Sequence, residues 1–372
     1  MNTKIISSGG SQWLFKLAAL FFIISGMQAA SPILNPFFLA IFIAIICWQP
    51  LLWLRRHDYF KGFSKGQLIT IVMGGLLLIM SLLTILLGAS INDFIDNMPV
   101  YQEQFTQRQQ SIIAWGEQHG FNFLSNSFLE QLLDPTRALQ FSADVLGEFG
   151  NALTNIMMIL LTVVFIMFEA FILPLKFKKA FGNKHLLERS SRVLQVIKQY
   201  LWIKTLTSLV TGIAITLWLT FLGVDYAVLW GVVAFMLNFI PSVGPVISAI
   251  PPVCLILLQS GFSEALLAIV GLGVIYTVIG DFWEPKLMGQ GLGLSLLAIF
   301  LSLVFWGWVF GPIGMLLSVP FTIIVKIMLE NYESTRWIAI FLSSEEDFIM
   351  TQTVDKSEAM AQTSVLRSTA KF

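Results

Sequence analysis

Two apolar stretches of this chain are interrupted by one proline and glycine signature. It occurs as Phe239-Ile-Pro-Ser-Val-Gly-Pro245, with Ser248 and Pro251 following, and again as Phe310-Gly-Pro-Ile-Gly314, with Ser318 and Pro320 following. Such residues break helices, and a break inside hydrocarbon strands backbone N–H and C=O groups unless protein or a wet cavity surrounds them. The stretches that carry the breaks, 226–259 and 292–329, would each be about 50 Å long or more if straight, against a hydrocarbon core of about 30 Å. Each must fold back as a helical hairpin or cross as broken half-helices, and the sequence does not choose. Paired broken segments of this kind mark the binding site in many secondary transporters.

The rest of the chain has the same character. Hydrophobic residues make up 56% and charged residues 12%, about half the charge of an ordinary soluble domain, and mean hydropathy is +0.79. The expected fold is an all-α integral membrane protein of about eight membrane segments, two of them Pro/Gly-broken (re-entrant or hairpin), with a small external helical segment. The apolar runs fall at 13–31, 33–54, 68–91, 151–173, 205–222, 226–259, 262–283 and 292–329. Residues 1–30 share some features of a cleaved signal peptide, but Lys16 interrupts the apolar run and the next run follows almost at once, as in a hairpin of spans.

Charge is segregated along the chain, and the positive-inside rule turns that into orientation. The loop 55–66 carries Arg55, Arg56, Lys61 and Lys65, and 174–204 carries eight Lys or Arg, Lys204 the last, against one acid, Glu188. Both belong in the cytoplasm. The segment 92–150 holds eight acids against Arg108 and Arg137, so it belongs outside. The uncharged Ser31-Pro-Ile-Leu-Asn-Pro36 suits a tight external turn. The domains are then 1–91, three spans; 92–150, an external (periplasmic) helical segment punctuated by Pro99 and Pro135; 151–173, a fourth span; 174–204, a cytoplasmic basic amphipathic helix; 205–330, a transport core with broken helices; and 331–372, a cytoplasmic tail, largely disordered. Both termini are cytoplasmic on this reading.

Candidate chemistry lies in the core. Asn238, Pro241, Ser242, Gly244, Pro245 and Ser248 in one break, with Gly311, Pro312, Gly314 and Ser318 in the other, would present half-helix ends to a polar solute without side-chain charge. Ionisable groups at membrane depth are costly and therefore informative. Thr277, Asp281 and Glu284 stand at i, i+4 and i+7 and share one face of an α-helix, with Lys286 just after, which makes them ion-coupling candidates; an interfacial cluster closing the helix end is the competing explanation. Glu169 and Lys326 read as side chains that snorkel to the interface. Cys47 and Cys254 read as buried hydrophobes, and the three histidines are dispersed. No metal, cofactor or nucleic-acid partner is expected, and no enzymatic constellation. Without a Walker-type loop, ATP-driven transport by this chain is not expected, and Gly289-Gln-Gly-Leu-Gly293 lacks the preceding strand of a dinucleotide loop.

Three blocks carry a resemblance: Gly223-Val-Asp-Tyr-Ala-Val-Leu-Trp-Gly231 running into Asn238–Pro245, Glu284-Pro-Lys-Leu-Met-Gly-Gln-Gly-Leu-Gly-Leu-Ser295, and Trp306-Gly-Trp-Val-Phe-Gly-Pro-Ile-Gly-Met-Leu-Leu-Ser-Val-Pro320. In order and spacing the chain resembles the autoinducer-2 exporter (AI-2E) family. The resemblance implies a multi-span protein of the bacterial inner membrane, a homo-oligomer, classed with exporters of a quorum-sensing signal; some relatives are described as sodium/proton antiporters. Export of a small polar metabolite or signal is thus the first expectation, with H+ or Na+ as a possible coupling partner. Cation/proton antiport is the second, and a non-transporting membrane scaffold the third.

Overall fold

The computed structural model describes residues 9–60, 62–118, 156–173, 176, 179, 184–288, 293–330 and 334–344. Among these, every named element is helical, apart from one isolated bridge between Leu294 and Ser343. The helices are α1 (Gly9–Ala29), α2 (Ser31–Arg56), α3 (Lys65–Gln118), α4 (Ile156–Ala170), α5 (Lys184–Phe221), α6 (Ala227–Leu237), α7 (Val243–Gln259), α8 (Phe262–Tyr276), a π-helical segment (Thr277–Trp283), α9 (Glu284–Met288), α10 (Leu296–Glu330) and α11 (Arg336–Leu342). Among the described residues, five stretches are long and apolar enough to cross a membrane: 31–56, 65–94, 194–221, 262–288 and 296–330. The chain divides into two compact units, one of residues 1–42 with 293–372, the other of residues 43–292.

In the second unit, α3 starts on a reciprocal cap. The Ser64 amide donates to Gln67 Oε1 at 2.8 Å and the Gln67 amide to Ser64 Oγ at 3.3 Å, so two N–H groups of the first turn are satisfied at once. The helix then runs for 54 residues straight through Pro99, about 80 Å. Residue 99 was expected to punctuate a separate segment, yet a proline removes only one hydrogen bond and a long helix can absorb that. Pro135 and the rest of 119–150 lie outside the described residues. The amphipathic stretch 184–204 and the span after it are likewise one helix, α5.

Close approach of α5 and α6 depends on glycine. A Cβ on Gly231 would sit 1.8 Å from Thr216 Oγ1, and one on Gly212 would sit 2.7 Å from the Gly231 carbonyl oxygen. Small residues let helix backbones touch where hydrocarbon supplies no driving force. Around this crossing the core is built from Phe94, Trp230, Ile215, Leu219, Leu255 and Leu272, with Phe94 edge-on to Trp230 at 5.5 Å. Toward the basic loops, Lys65 and Lys198 lie over the rings of Phe171 and Trp48, and Glu169 pairs with Lys176.

In the first unit, α2 begins at Ser31, so the turn after α1 is Ala30 alone and Ser31–Pro36 forms the opening of a helix. Pro32 sits where its missing N–H has no intrahelical role. α10 is not straight. Gly311 has φ 65° and ψ −147°, and the Trp306 indole N–H donates to Thr322 Oγ1 at 3.1 Å, although a straight helix would separate those residues by about 24 Å. α10 is therefore a helical hairpin of 296–310 and 312–330. Its base is closed by the Ser295 amide on the Leu342 carbonyl at 2.9 Å and the Ser344 amide on the Gly293 carbonyl at 3.1 Å. Within the expected tail, 336–342 is thus helical and anchored; 345–372 lie outside the described residues.

Candidate functional site

Both broken segments are hairpins, and one glycine does the same work in each. A Cβ on Gly244 would lie 1.9 Å from the Leu237 carbonyl oxygen, and a Cβ on Gly314 would lie 1.9 Å from the Trp306 carbonyl oxygen. In each case the returning helix rests directly on the backbone of the outgoing one, and only glycine leaves room. The α6–α7 turn is the tighter. Ser242 has φ 60° and ψ −43°, and the Val243 amide bonds back to the Pro241 carbonyl at 2.6 Å, which is a γ-turn with positive φ, a rare and strained conformation for a residue with a Cβ. Ser242 is exposed, and Pro241 and Pro245 are half-buried beside it.

The two tips differ in what surrounds them. At the α6–α7 tip, Asn238 is buried and its amide donates to Ser208 Oγ of α5 at 2.9 Å. Ser248, a turn into α7, bonds to the Pro245 carbonyl at 3.0 Å and to the Tyr276 hydroxyl of α8. Ser208 belongs to a buried polar stripe on α5 made of Lys204, the adjacent pair Thr207 and Ser208, and Thr211, with Lys204 and Thr211 each three and four residues from that pair, so that all lie on one side of the helix. At its end stands an ion pair. Lys204 Nζ lies 2.8 and 2.9 Å from the two Glu284 carboxylate oxygens, with side chains 9% and 14% exposed. The Thr207 hydroxyl reaches Glu284 Oε2 at 3.1 Å, with the Lys204 carbonyl at 3.2 Å as its alternative acceptor.

The tip of α10 has an aromatic setting. Trp306 and Phe310 stack at 3° and 5.9 Å, and Phe38 stands edge-on to Phe310 and Phe321 at 5.3 and 5.0 Å. Two carbonyls released by the break are taken by amides from α1 and α2: Asn35 donates to Phe310 O at 3.1 Å and Gln28 to Trp308 O at 3.4 Å. Pro312 is exposed and Gly311 half-buried, while Ser318 is buried and spends its hydroxyl on the Met315 carbonyl at 2.8 Å. The polar remainder here is Asn35 Oδ1, a buried acceptor without a hydrogen-bond partner among the described residues.

The ionisable candidates separate. Glu284 is held by Lys204 and Thr207, while Thr277, Asp281 and Lys286 are exposed. The physical reason lies in the π-helical segment 277–283: its i→i+5 bonding widens the turn, so the i, i+4, i+7 spacing that unites three residues on an α-helix does not carry over. Lys326, read as a snorkelling cation, is instead buried and donates to the Gly293 carbonyl at 2.6 Å. Absent from the candidate site residues were Lys204, counted only among the topology-setting cations, and Thr207, Ser208 and Thr211, together with Gln28 and Asn35. The first four left a signal, a polar stripe at helical spacing within an apolar helix; the amides left none, because their acceptors lie 275 and 280 residues away.

Comparison with known proteins places this architecture. A family model described as AI-2E family transporter matches residues 14–334. The AI-2 transport protein TqsA of Escherichia coli (strain K12) is 37% identical over 344 residues, covering 92% of this chain and 98% of that protein. The putative transport protein YhhT of the same organism is 35% identical over 346 residues, covering 92% and 97%. A putative transport protein of Haemophilus influenzae is 36% identical over 341 residues, covering 90% and 97%.

Proposed function

The chain belongs to the AI-2E transporter family and is a multi-pass membrane transport protein rather than an enzyme, and we propose that it is a secondary transporter that exports a small polar metabolite or signal, such as autoinducer-2, across the bacterial inner membrane. The observation that carries the reading is the polar stripe of α5, which leads from the Lys204–Glu284 pair to the Asn238 tip of a broken hairpin. Such a stripe inside apolar helices has a cost that packing alone does not offset, since buried polar groups lose their hydration.

On this proposal the α6–α7 hairpin enters from the outer side. Its base, where Gln259 bonds Asp225, adjoins the outer end of α5, and α6 carries its 11 residues about 16 Å inward. That depth is about half the hydrocarbon core. Lys204, 17 residues from the Phe221 end of α5, then lies near the inner boundary, and the stripe joins that boundary to the hairpin tip. Orientation follows the basic 55–66 loop, with cytoplasmic termini, and the assembly is a homo-oligomer. The relative TqsA, an AI-2 transport protein, supports autoinducer-2 as a cargo.

Cation/proton antiport is the second reading, and the buried ion pair favours it. Neutralising Glu284 with a proton or a monovalent cation would release Lys204, which is the elementary event of coupling. Flux into proteoliposomes separates the readings: autoinducer-2, sodium and proton movement are followed under an imposed pH gradient, with Glu284→Gln for comparison. Signal movement supports export. Cation–proton exchange abolished by Glu284→Gln, without signal movement, supports antiport and ends the export reading.

A further inference from the structure

α3 continues past its membrane stretch, so residues 97–101 stand on the side of the bilayer opposite the 55–64 loop. There the side chains of Asn97, Val100 and Tyr101 and the α5–α6 link residues Asp225 and Tyr226 line a cavity of about 390 Å³, within the range of small-molecule sites. None of these residues belongs to the polar stripe of α5.

Asp225 is exposed, yet it is held from three elements. Its Oδ2 accepts from the Tyr101 hydroxyl at 3.1 Å and from the Gln259 amide, its backbone N–H donates to Gln259 Oε1 at 3.4 Å, and its carbonyl accepts from the Trp230 indole at 3.2 Å. Oδ1 takes no hydrogen bond from any described residue. The Asn97 amide is committed to Tyr226 Oη at 3.1 Å and to the Asp93 carbonyl at 2.8 Å. Beneath lies buried Phe94, its ring 6.1 Å from that of Tyr101 and 5.9 Å from that of Tyr226. Burial first, then the Tyr226 hydroxyl and the Asp225 charge, pushes the Tyr101 phenol above its ordinary range, so it stays a donor to the carboxylate.

Among the residues of 66–107 and 205–264 the charge has one sign: Asp93, Asp96 and Glu103 lie along α3 and Glu264 opens α8, and these ranges contain no Lys, Arg or His; the next cation on α3 is Arg108. The Asn97 amide and the Tyr101 hydroxyl are already committed, which leaves the Tyr226 hydroxyl as one donor beside an anionic acceptor and two tyrosines. A sugar or polyol needs donors for its lone pairs as well as acceptors, and an inorganic cation needs several more oxygen ligands. A compact organic cation needs only the carboxylate and aromatic surface.

We propose that this extramembrane cup is a binding site for a small organic ammonium ion, held by Asp225 between Tyr101 and Tyr226. The site does not depend on which solute crosses the membrane. The test is calorimetric titration of the full chain in nanodiscs with tetramethylammonium chloride, against sodium chloride at equal ionic strength and against myo-inositol. Saturable tetramethylammonium binding is expected, weakened about tenfold or more by Asp225→Asn. Val100→Trp fills the cup without touching the Asp225 bonds and is expected to weaken binding similarly, so the test survives if the first variant folds poorly. Absence of saturable binding, affinity unchanged in both variants, or saturation by myo-inositol alone would each overturn the proposal.

Discussion

The hairpin of α6 and α7 and the hairpin within α10 share a backbone device and differ in everything around it. Each seats a glycine, Gly244 or Gly314, 1.9 Å by its virtual Cβ from a carbonyl of the outgoing helix. Yet the first tip meets Ser208 and Asn238, at the end of a stripe that reaches a buried ion pair, whereas the second meets stacked rings and two amides that cap its free carbonyls. The broken helix is therefore a way to fold back at close range, and chemistry is added to it by neighbours. In the second hairpin the amides answer two carbonyls freed by the break, those of Trp308 and Phe310, and among the described residues there only Asn35 Oδ1 is left buried without a partner. In the first, polar groups exceed what the backbone needs, and that excess points to solute or ion handling.

The largest test of this contrast is the ion pair. Lys204→Met leaves Glu284 buried without its partner and is expected to destabilise the protein by about 3–5 kcal/mol, read as thermal unfolding in detergent. Adding Glu284→Gln should restore most of the stability without restoring flux. Wild-type melting in the single variant would mean that the charge is not buried, and the first hairpin would lose its distinction.

The shared device is tested next. Gly244→Ala and Gly314→Ala should each cost about 1–3 kcal/mol through overpacking, by similar amounts because the two contacts are alike. A loss at one position only would show that the hairpins are not equivalent even in backbone. The smallest effect is expected at Asp281: Asp281→Asn, at an exposed site, should change stability by no more than about 0.5 kcal/mol and leave the sodium and pH dependence of flux as in wild type. A shifted profile would return Asp281 to the coupling site beside Glu284.

Glu284 and Asp281 show how far the sequence could be read. Both are acids near the end of an apolar run, and periodicity placed them on one face. Their separation depends on a π segment, which no local residue preference announces, and on Lys204, 80 residues away. The same holds for Asn35. Its sequence neighbourhood, Ser31–Pro36, reads as a turn, yet it is helical and delivers an amide to Phe310.

By itself the sequence determined the class: apolar runs too long for one crossing, broken by Pro and Gly, demand a helical membrane protein with folded-back or broken segments, since hydrocarbon tolerates no unpaired backbone. It also marked Gly244 and Gly314, because a close backbone contact admits only the residue without a side chain. Tertiary structure alone decided which polar groups meet. Hydrogen bonds and ion pairs act over about 3 Å, and helices distant in the chain bring Lys204 to Glu284, Asn238 to Ser208 and Asn35 to Phe310.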